Sequence, residues 1–270
     1  MCIRDRFGEG IVRSVDYFGL RGDKPANPAL LDELAARFMK LHWSQKKLIR
    51  EIVLSPAYRQ STESKSSTPF PAQNRFRLDA EAIRDAVLAI SGSLIPSNGG
   101  PALALEYPEN VSGLDPKSVN PVAFSVSKFR PEQPALRTLY LPVVRSSAQK
   151  GPAEILDIFD FAQPAQLQGQ RSVTTVPPQA LYLMNGPLIK NEAGRLGDQL
   201  WKAPAADDAA RLAELYLRVL NRPITHEETR EALAFLATFE TPIPIPQRKH
   251  LAWALLCQAL FTSNEFLFRL

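Results

Sequence analysis

The distribution of proline constrains most what this chain of 270 residues can fold into. Twelve of its 23 prolines fall between Pro96 and Pro178. A proline ring fixes φ and removes a backbone donor, so no long helix fits that stretch. Two segments inside it, PVAFSVSKF at 121–129 and RTLYLPVV at 137–144, have the β-branched and aromatic content of short strands. Pro142 would confine the second to a sheet edge or break it midway. AEILDIFDF at 153–161 reads as one short helix.

Outside this centre, apolar residues recur at helical spacing. Asn27 and Pro28 form an N-cap and first turn, followed by Leu30, Leu31, Leu34, Ala35, Phe38 and Met39. Ser44 caps a second helix carrying Leu48, Ile49, Ile52 and Val53, which Pro56 ends. Asp79 caps a third through about Ser91, with Gly92 as its stop. Beyond the centre, Pro187 opens a helix to about Lys202 that Gly194 and Gly197 weaken. Asp207 or Asp208 caps the next, through Leu220, and THEE at 225–228 is a capping box. PIPIP at 242–246 reads as a stiff spacer. LAWALLCQALF at 251–261 is apolar all round and therefore reads as a central, buried helix. The fold expected is mainly α: a multi-helix domain with a proline-rich, loop-rich centre and at most a small β element. Residues 1–6, MCIRDR, read as a non-native leader on a chain truncated at its N-terminus. Residues 7–270 are expected as a single helical domain, helical over 7–94, loop-rich over 95–170 and helical over 171–270.

Several chemistries lack their residues. Cys2 and Cys257 have no paired-cysteine metal spacing, and His42, His226 and His250 stand far apart. The chain has no H-E-x-x-H, no P-loop, no G-x-G-x-x-G and no G-x-S-x-G. No metal site and no cofactor are expected in this chain. The net charge of +4 sits in residues 1–60, with eleven Lys and Arg against seven Asp and Glu. That mild excess lacks the dense basic stripe of a nucleic-acid surface, so no nucleic-acid partner is expected. No window of eighteen apolar residues exists, so no transmembrane segment is expected.

RSVTTVPPQALYLMNGP at 171–187 poses the sharpest question. The residue before a proline is pushed out of helical conformation, so a helix begins no earlier than Pro177. Asn185 and Gly186 end it, and Pro187 begins the next. One reading is a structural helix entry whose threonines satisfy exposed amides. The other is an anion site at the helix N-terminus with Arg171 as its cation. The structural reading pairs Arg171 with Asp160, a carboxylate between Phe159 and Phe161 that would be costly to bury alone.

Six ordered blocks together resemble a known family. They are FGEGIVRSVDYFGLRGDKPANPALLDELAARFMKLHWSQKKLIREIVLSPAYRQS at 7–61, RFRLDAEAIRDAVLAISGSL at 75–94, RTLYLPVVR at 137–145, FDFAQPAQLQGQRSVTTVPPQALYLMNGP at 159–187, YLRVLNRPITHEE, and LCQALFTSNEFLFRL. The family is the bacterial domain of unknown function numbered fifteen-fifty-three. It forms the C-terminal module of large exported planctomycete and verrucomicrobial proteins, often with a cytochrome c domain. The resemblance implies an exported, periplasmic or cell-surface setting. It also implies upstream domains of the same full-length protein as partners, with polysaccharide as a further candidate. Haem c would belong only to those upstream domains, because C-x-x-C-H is absent here.

Polar residues inside the family's blocks are the site candidates. Asp16, Glu81, Asp85 and Asp160 are the candidate catalytic carboxylates. Arg84, Arg137, Arg145, Arg171, Thr174 and Thr175 are the candidate binding residues. Glu81, Arg84 and Asp85 lie close on one helix, which fits a solvated face or structural ion pair as well as a site. The arginines of the centre could line an anionic-substrate groove. The leading expectation is a non-catalytic accessory or scaffolding module of an exported cell-envelope protein. The alternative is an enzyme domain acting on polysaccharide with the cytochrome c modules of longer relatives. A glycosidase needs two carboxylates flanking one bond, so their placement decides between the two.

Overall fold

The computed structural model describes residues 3–17, 19–60, 75–96, 99, 135–141, 143, 153–166, 168–204, 207–242 and 244–269. Among these residues the chain is mainly helical, with one two-stranded ribbon. In chain order the elements are α1 (Arg4–Phe7), α2 (Pro28–Lys40), α3 (Gln45–Leu54), β1 (Phe76–Arg77) and α4 (Ala80–Ile90). They continue with α5 (Glu154–Ile158), α6 (Pro177–Asn185), α7 (Pro187–Lys202), α8 (Asp208–Leu220) and α9 (His226–Thr238). The last three are α10 (Ile245–Phe261), α11 (Asn264–Leu267) and β2 (Phe268–Arg269). The contacts divide the chain into two compact units. One comprises 1–77, 168–170 and 268–270; the other comprises 78–167 and 171–267.

In the first unit, α2 and α3 pair as a short hairpin. The Asn27 side chain accepts from the Leu30 N–H at 3.0 Å, and the Ser44 hydroxyl from the Lys47 N–H at 3.4 Å. Both caps satisfy donors that a helix start leaves unpaired. β1 and β2 pair antiparallel, Phe76 opposite Arg269 and Arg77 opposite Phe268. Few apolar side chains are deeply buried here; among the described residues of this unit the apolar one is Ile52. Ile52 also lines a cavity of about 500 Å³ with Ile11, Val12, Leu34, Phe38 and Leu48.

The second unit carries the larger core, and its longest contact runs between α7 and α10. On α7 the buried residues Ile189, Ala193, Leu196 and Leu200 recur at helical spacing. On α10 they face Trp253, Cys257 and Phe261, each at most 1% exposed. Burial pushes the Cys257 thiol up to about 12. The two helices meet at Gly197, where an added Cβ would stand 2.8 Å from the Ala254 backbone nitrogen. Gly194, one turn earlier, faces open space. α8 adds Leu212, Leu215 and Val219 to the same core. α10 is not buried all round as its composition suggested: Leu251 and Leu255 are each 37% exposed.

Three local expectations are corrected. The described part of the strand expected at 137–144 is not a strand, because Thr138–Tyr140 forms a 3₁₀ turn. Its backbone is tied to side chains of α4, described below, so it needs no ladder. Among the described residues, Ile95 and Leu136 form an isolated bridge nearby. The stiff spacer at 242–246 is shorter than expected, since α10 begins at Ile245. Pro246 fits because first-turn amides have no helical partner to lose. Asp79 precedes α4 without capping it through its side chain; it lies 3.9 Å from Arg171 instead. The strand expected at 121–129 lies outside the described residues.

The capping box of α9 forms and is extended by an arginine. Glu228 accepts from the Thr225 N–H at 2.9 Å, and the Glu228 N–H donates to the Thr225 hydroxyl at 3.2 Å. Arg222 donates to both Glu228 oxygens, at 2.6 and 2.9 Å, and to Glu265 at 2.8 Å. These bonds, those from Arg222 first, hold the Glu228 carboxyl down to about 2.

Two predictions follow from this packing. Gly194→Ala should stabilise the protein by about 0.5–1 kcal/mol through helix propensity, whereas Gly197→Ala should destabilise it by about 1–3 kcal/mol through overpacking. Thermal unfolding of the two variants checks the sign of each. For Glu228 the folded value is depressed from 4.5 to about 2. Its contribution is therefore present above about 4.5 and is lost as the pH falls toward about 2. Glu228→Gln should flatten the pH dependence of the melting temperature in that window relative to the parent.

Candidate functional site

Most of the described candidate residues of the second unit gather beside α4. Helical spacing sets this up: Glu81, Arg84 and Asp85 are three and four positions apart and so share one side of the helix. Arg84 is fully buried. Its Nη1 donates to the Leu136 carbonyl at 2.8 Å and to the Thr138 hydroxyl at 3.0 Å, with Asp85 3.5 Å away. Burial lowers the Arg84 pKa, and the charges of Asp85, Tyr182 and Glu192 oppose that. Asp85 receives the Thr138 N–H at 2.8 Å and the Thr138 hydroxyl at 2.7 Å on one oxygen. Its other oxygen accepts from Arg137 Nε at 3.3 Å. The Thr138 hydroxyl thus accepts from the arginine and donates to the aspartate, using both its capacities.

Glu81 binds Arg171. The pair is bidentate, with both bonds at 2.7 Å, and the guanidinium lies 4.8 Å above the Phe161 ring. The Glu81 hydrogen bonds raise the Arg171 pKa. The expected pairing of Arg171 with Asp160 is therefore corrected. Asp160 is taken by the threonine side of the same loop: it accepts from the Thr174 N–H at 2.8 Å and from the Thr174 hydroxyl at 2.9 Å. Asp160 itself has a left-handed backbone, φ 58°, and the donors of Thr174 that serve it are neutral.

Gln179 closes this knot from the first turn of α6. It is 5% exposed. Its Nε2 donates to the Ile158 carbonyl at 3.0 Å and to Thr174 and Asp160 at 3.2 and 3.4 Å. Its Oε1 accepts from the Val176 N–H at 3.3 Å. Valine has no side-chain acceptor to return, so this is half of a capping box. The threonines do not cap α6 as expected; Thr174 turns toward Asp160, and Thr175 is exposed.

The structure thus joins Glu81 to Arg171, Asp85 to Arg84 and Arg137, and Asp160 to Thr174. Asp16 belongs to the other unit, where it is exposed and lies against Gly169. Arg145 lies outside the described residues. Sequence reasoning did not reach Thr138 or Tyr182. Thr138, the lone aliphatic hydroxyl in RTLYLP, was the available signal. Tyr182 is pushed up to about 12 by burial and by the charge of Glu154, while Arg84 pulls it down. Nor did it reach Glu192, a carboxylate on the apolar stripe of α7. Glu192 accepts from the Ser91 hydroxyl at 2.6 Å and from Ser93. Gln199 links the same corner, donating to the Ser91 carbonyl at 2.7 Å and accepting from Arg218 at 2.9 Å.

The chemistry available to these groups is limited by their partners. Both oxygens of Glu81, Asp85 and Asp160 already accept hydrogen bonds. None of the three lines the apolar cavity of the first unit. What the fold and this cluster define is a helical module whose polar residues tie a proline-rich centre to its helices. Residues 4–236 match the family described as protein of unknown function (DUF1553), and the chain belongs to that family. No curated protein and no solved structure matches it.

The Asp160 knot predicts a graded response. Asp160→Ala removes the acceptors and places alanine at positive φ, for a loss of about 2–4 kcal/mol. Asn tolerates that conformation and keeps one acceptor, so Asp160→Asn should cost about 1 kcal/mol or less. Arg171→Ala should cost about 1–2 kcal/mol, being partly exposed. It should be less than additive with Glu81→Gln but additive with Asp160→Ala, as read by denaturant unfolding.

Proposed function

We propose that the chain is a non-catalytic accessory or scaffolding module of an exported cell-envelope protein. One observation carries this reading: three of the four nominated carboxylates, Glu81, Asp85 and Asp160, and the nominated arginines Arg84, Arg137 and Arg171 are engaged in internal bonds. Glu81 is matched by Arg171, Asp85 by Thr138 and Arg137, and Asp160 by Thr174 and Gln179. A general acid or base needs a carboxyl that can exchange a proton with a substrate. Here each would first have to give up a partner that orders the centre. Among the described residues no helix is long and apolar enough to cross a membrane, which agrees with a module attached through other domains. The exported setting, the upstream domains of the same protein and the association with cytochrome c rest on the family resemblance.

The test is direct. The purified chain is incubated with a panel of cell-wall and algal polysaccharides, and released reducing ends are measured beside Glu81→Gln and Asp85→Asn. The module reading expects no release above that of the variants, and lower melting temperatures in both. Cleavage that disappears with either substitution in a folded protein would transfer the assignment to a polysaccharide-acting enzyme.

A further inference from the structure

In the first unit, the turn between α2 and α3 breaks three local rules at one place. His42 and Trp43 are consecutive non-glycine residues at positive φ, 54° and 58°. Such a backbone is uncommon for any side chain and rare for one as bulky as tryptophan. The turn is nonetheless pinned. The N–H groups of Leu41, His42 and Trp43 donate to the carbonyls of Arg37, Met39 and Phe38 at 2.9, 3.0 and 3.0 Å. The result holds Trp43 outward, 67% exposed, with its ring edge-on to Phe38 at 5.3 Å. Met39 beside it is 52% exposed. Trp43 and Met39 thus stand exposed together at one turn, and adjoining exposed apolar side chains rimmed by polar residues are a feature of protein and membrane contact surfaces.

The third broken rule is electrostatic. Between Glu33 and Glu51 the chain holds five Lys and Arg and no Asp or Glu. Arg37 is used internally, by Glu33 and Glu51. Lys40, Lys46, Lys47 and Arg50 are exposed and make no ion pair among the described residues. Lys46 and Lys47 sit in the first turn of α3, where the helix dipole favours carboxylates and opposes cations. The cations therefore add to the positive end of the helix and do not offset it.

We propose that this turn docks the first unit on an anionic lipid surface, with Trp43 at headgroup depth and Lys40, Lys46 and Lys47 toward the lipid phosphates. The occupant follows from the pairing of features. Indole, with an apolar body and a single N–H, is the side chain best suited to a water–lipid boundary. Lysines are hydrated point charges that suit a diffuse layer of negative charge, whereas bidentate recognition of a single phosphate calls for arginine. A single-stranded nucleic acid would also meet cations and an aromatic ring, but it needs a groove with successive stacking rings, and a helix–helix turn offers one ring and no groove. The proposal stands apart from the module reading, which is argued from residues of the other unit.

The experiment is co-sedimentation of the full chain with vesicles of phosphatidylcholine and phosphatidylglycerol, against phosphatidylcholine alone. Binding is expected to the anionic vesicles only, and should weaken as salt is added. Lys46→Gln with Lys47→Gln should lower the partition coefficient about 25-fold, at about fivefold per lysine. Trp43→Ser should lower it several-fold, and because all three residues are exposed, circular dichroism melts should match the parent. Tryptophan emission should shift to the blue on binding, and that shift should vanish in Trp43→Phe. Equal partition into neutral vesicles, no partition at all, indifference to the lysine substitutions, or a blue shift that survives Trp43→Phe would each overturn the proposal. So would binding of an acidic polypeptide or an oligonucleotide by a chain that ignores vesicles.

Discussion

A guanidinium with no exposure has to find its acceptors within the protein, and Arg84 places that demand in the middle of the second unit. A buried charge without partners costs far more than any single packing contact returns. Arg84 meets the demand with a backbone carbonyl, a hydroxyl and a neighbouring carboxylate. Two of those groups belong to residues 136 and 138, so the segment 135–141 must run beside α4. Its conformation follows from that duty. Thr138 faces Arg84 and Asp85 together, and the backbone around it coils as a 3₁₀ turn.

The same device recurs wherever proline removes backbone pairing. Among the described residues of 153–176, α5 is the one helix, and outside it carbonyls and amides have few ladder partners. Side chains with several hydrogen-bonding positions stand in: Gln179 serves three carbonyl, hydroxyl and carboxylate oxygens and one amide. Arg171 then ties the loop to α4 through Glu81. The polar residues that look like chemistry in the sequence are, in this arrangement, what gives an irregular segment one conformation.

Much of the helical frame was legible because its signals are local. Asn27, Ser44, Asp207 and Thr225 cap helices as their spacing indicates. Gly186 and Pro187 separate α6 from α7 where expected. The polar pairings were legible only as a set of residues. Partners such as Arg171 and Glu81, or Ser91 and Glu192, lie 90 and 101 positions apart, and no local rule selects one carboxylate over another. Asp160 was the nearer partner for Arg171 in sequence, yet its oxygens are taken by Thr174. The strand reading of 137–144 failed for a related reason. β-branched and aromatic content measures fit to a pleated surface, and here the surface offered was a helix bearing a charge.

The seam between α7 and α10 encloses Cys257 at 0% exposure, its thiol pushed up to about 12. A thiol reagent needs both contact and thiolate, and the closed seam withholds each. Modification at Cys257 can therefore proceed only during excursions in which the two helices part, and its rate counts those excursions. The chain thus contains its own clock for the opening of its largest core. The clock needs no engineered cysteine, and it runs on the contact in which an added Cβ at Gly197 would meet the α10 backbone.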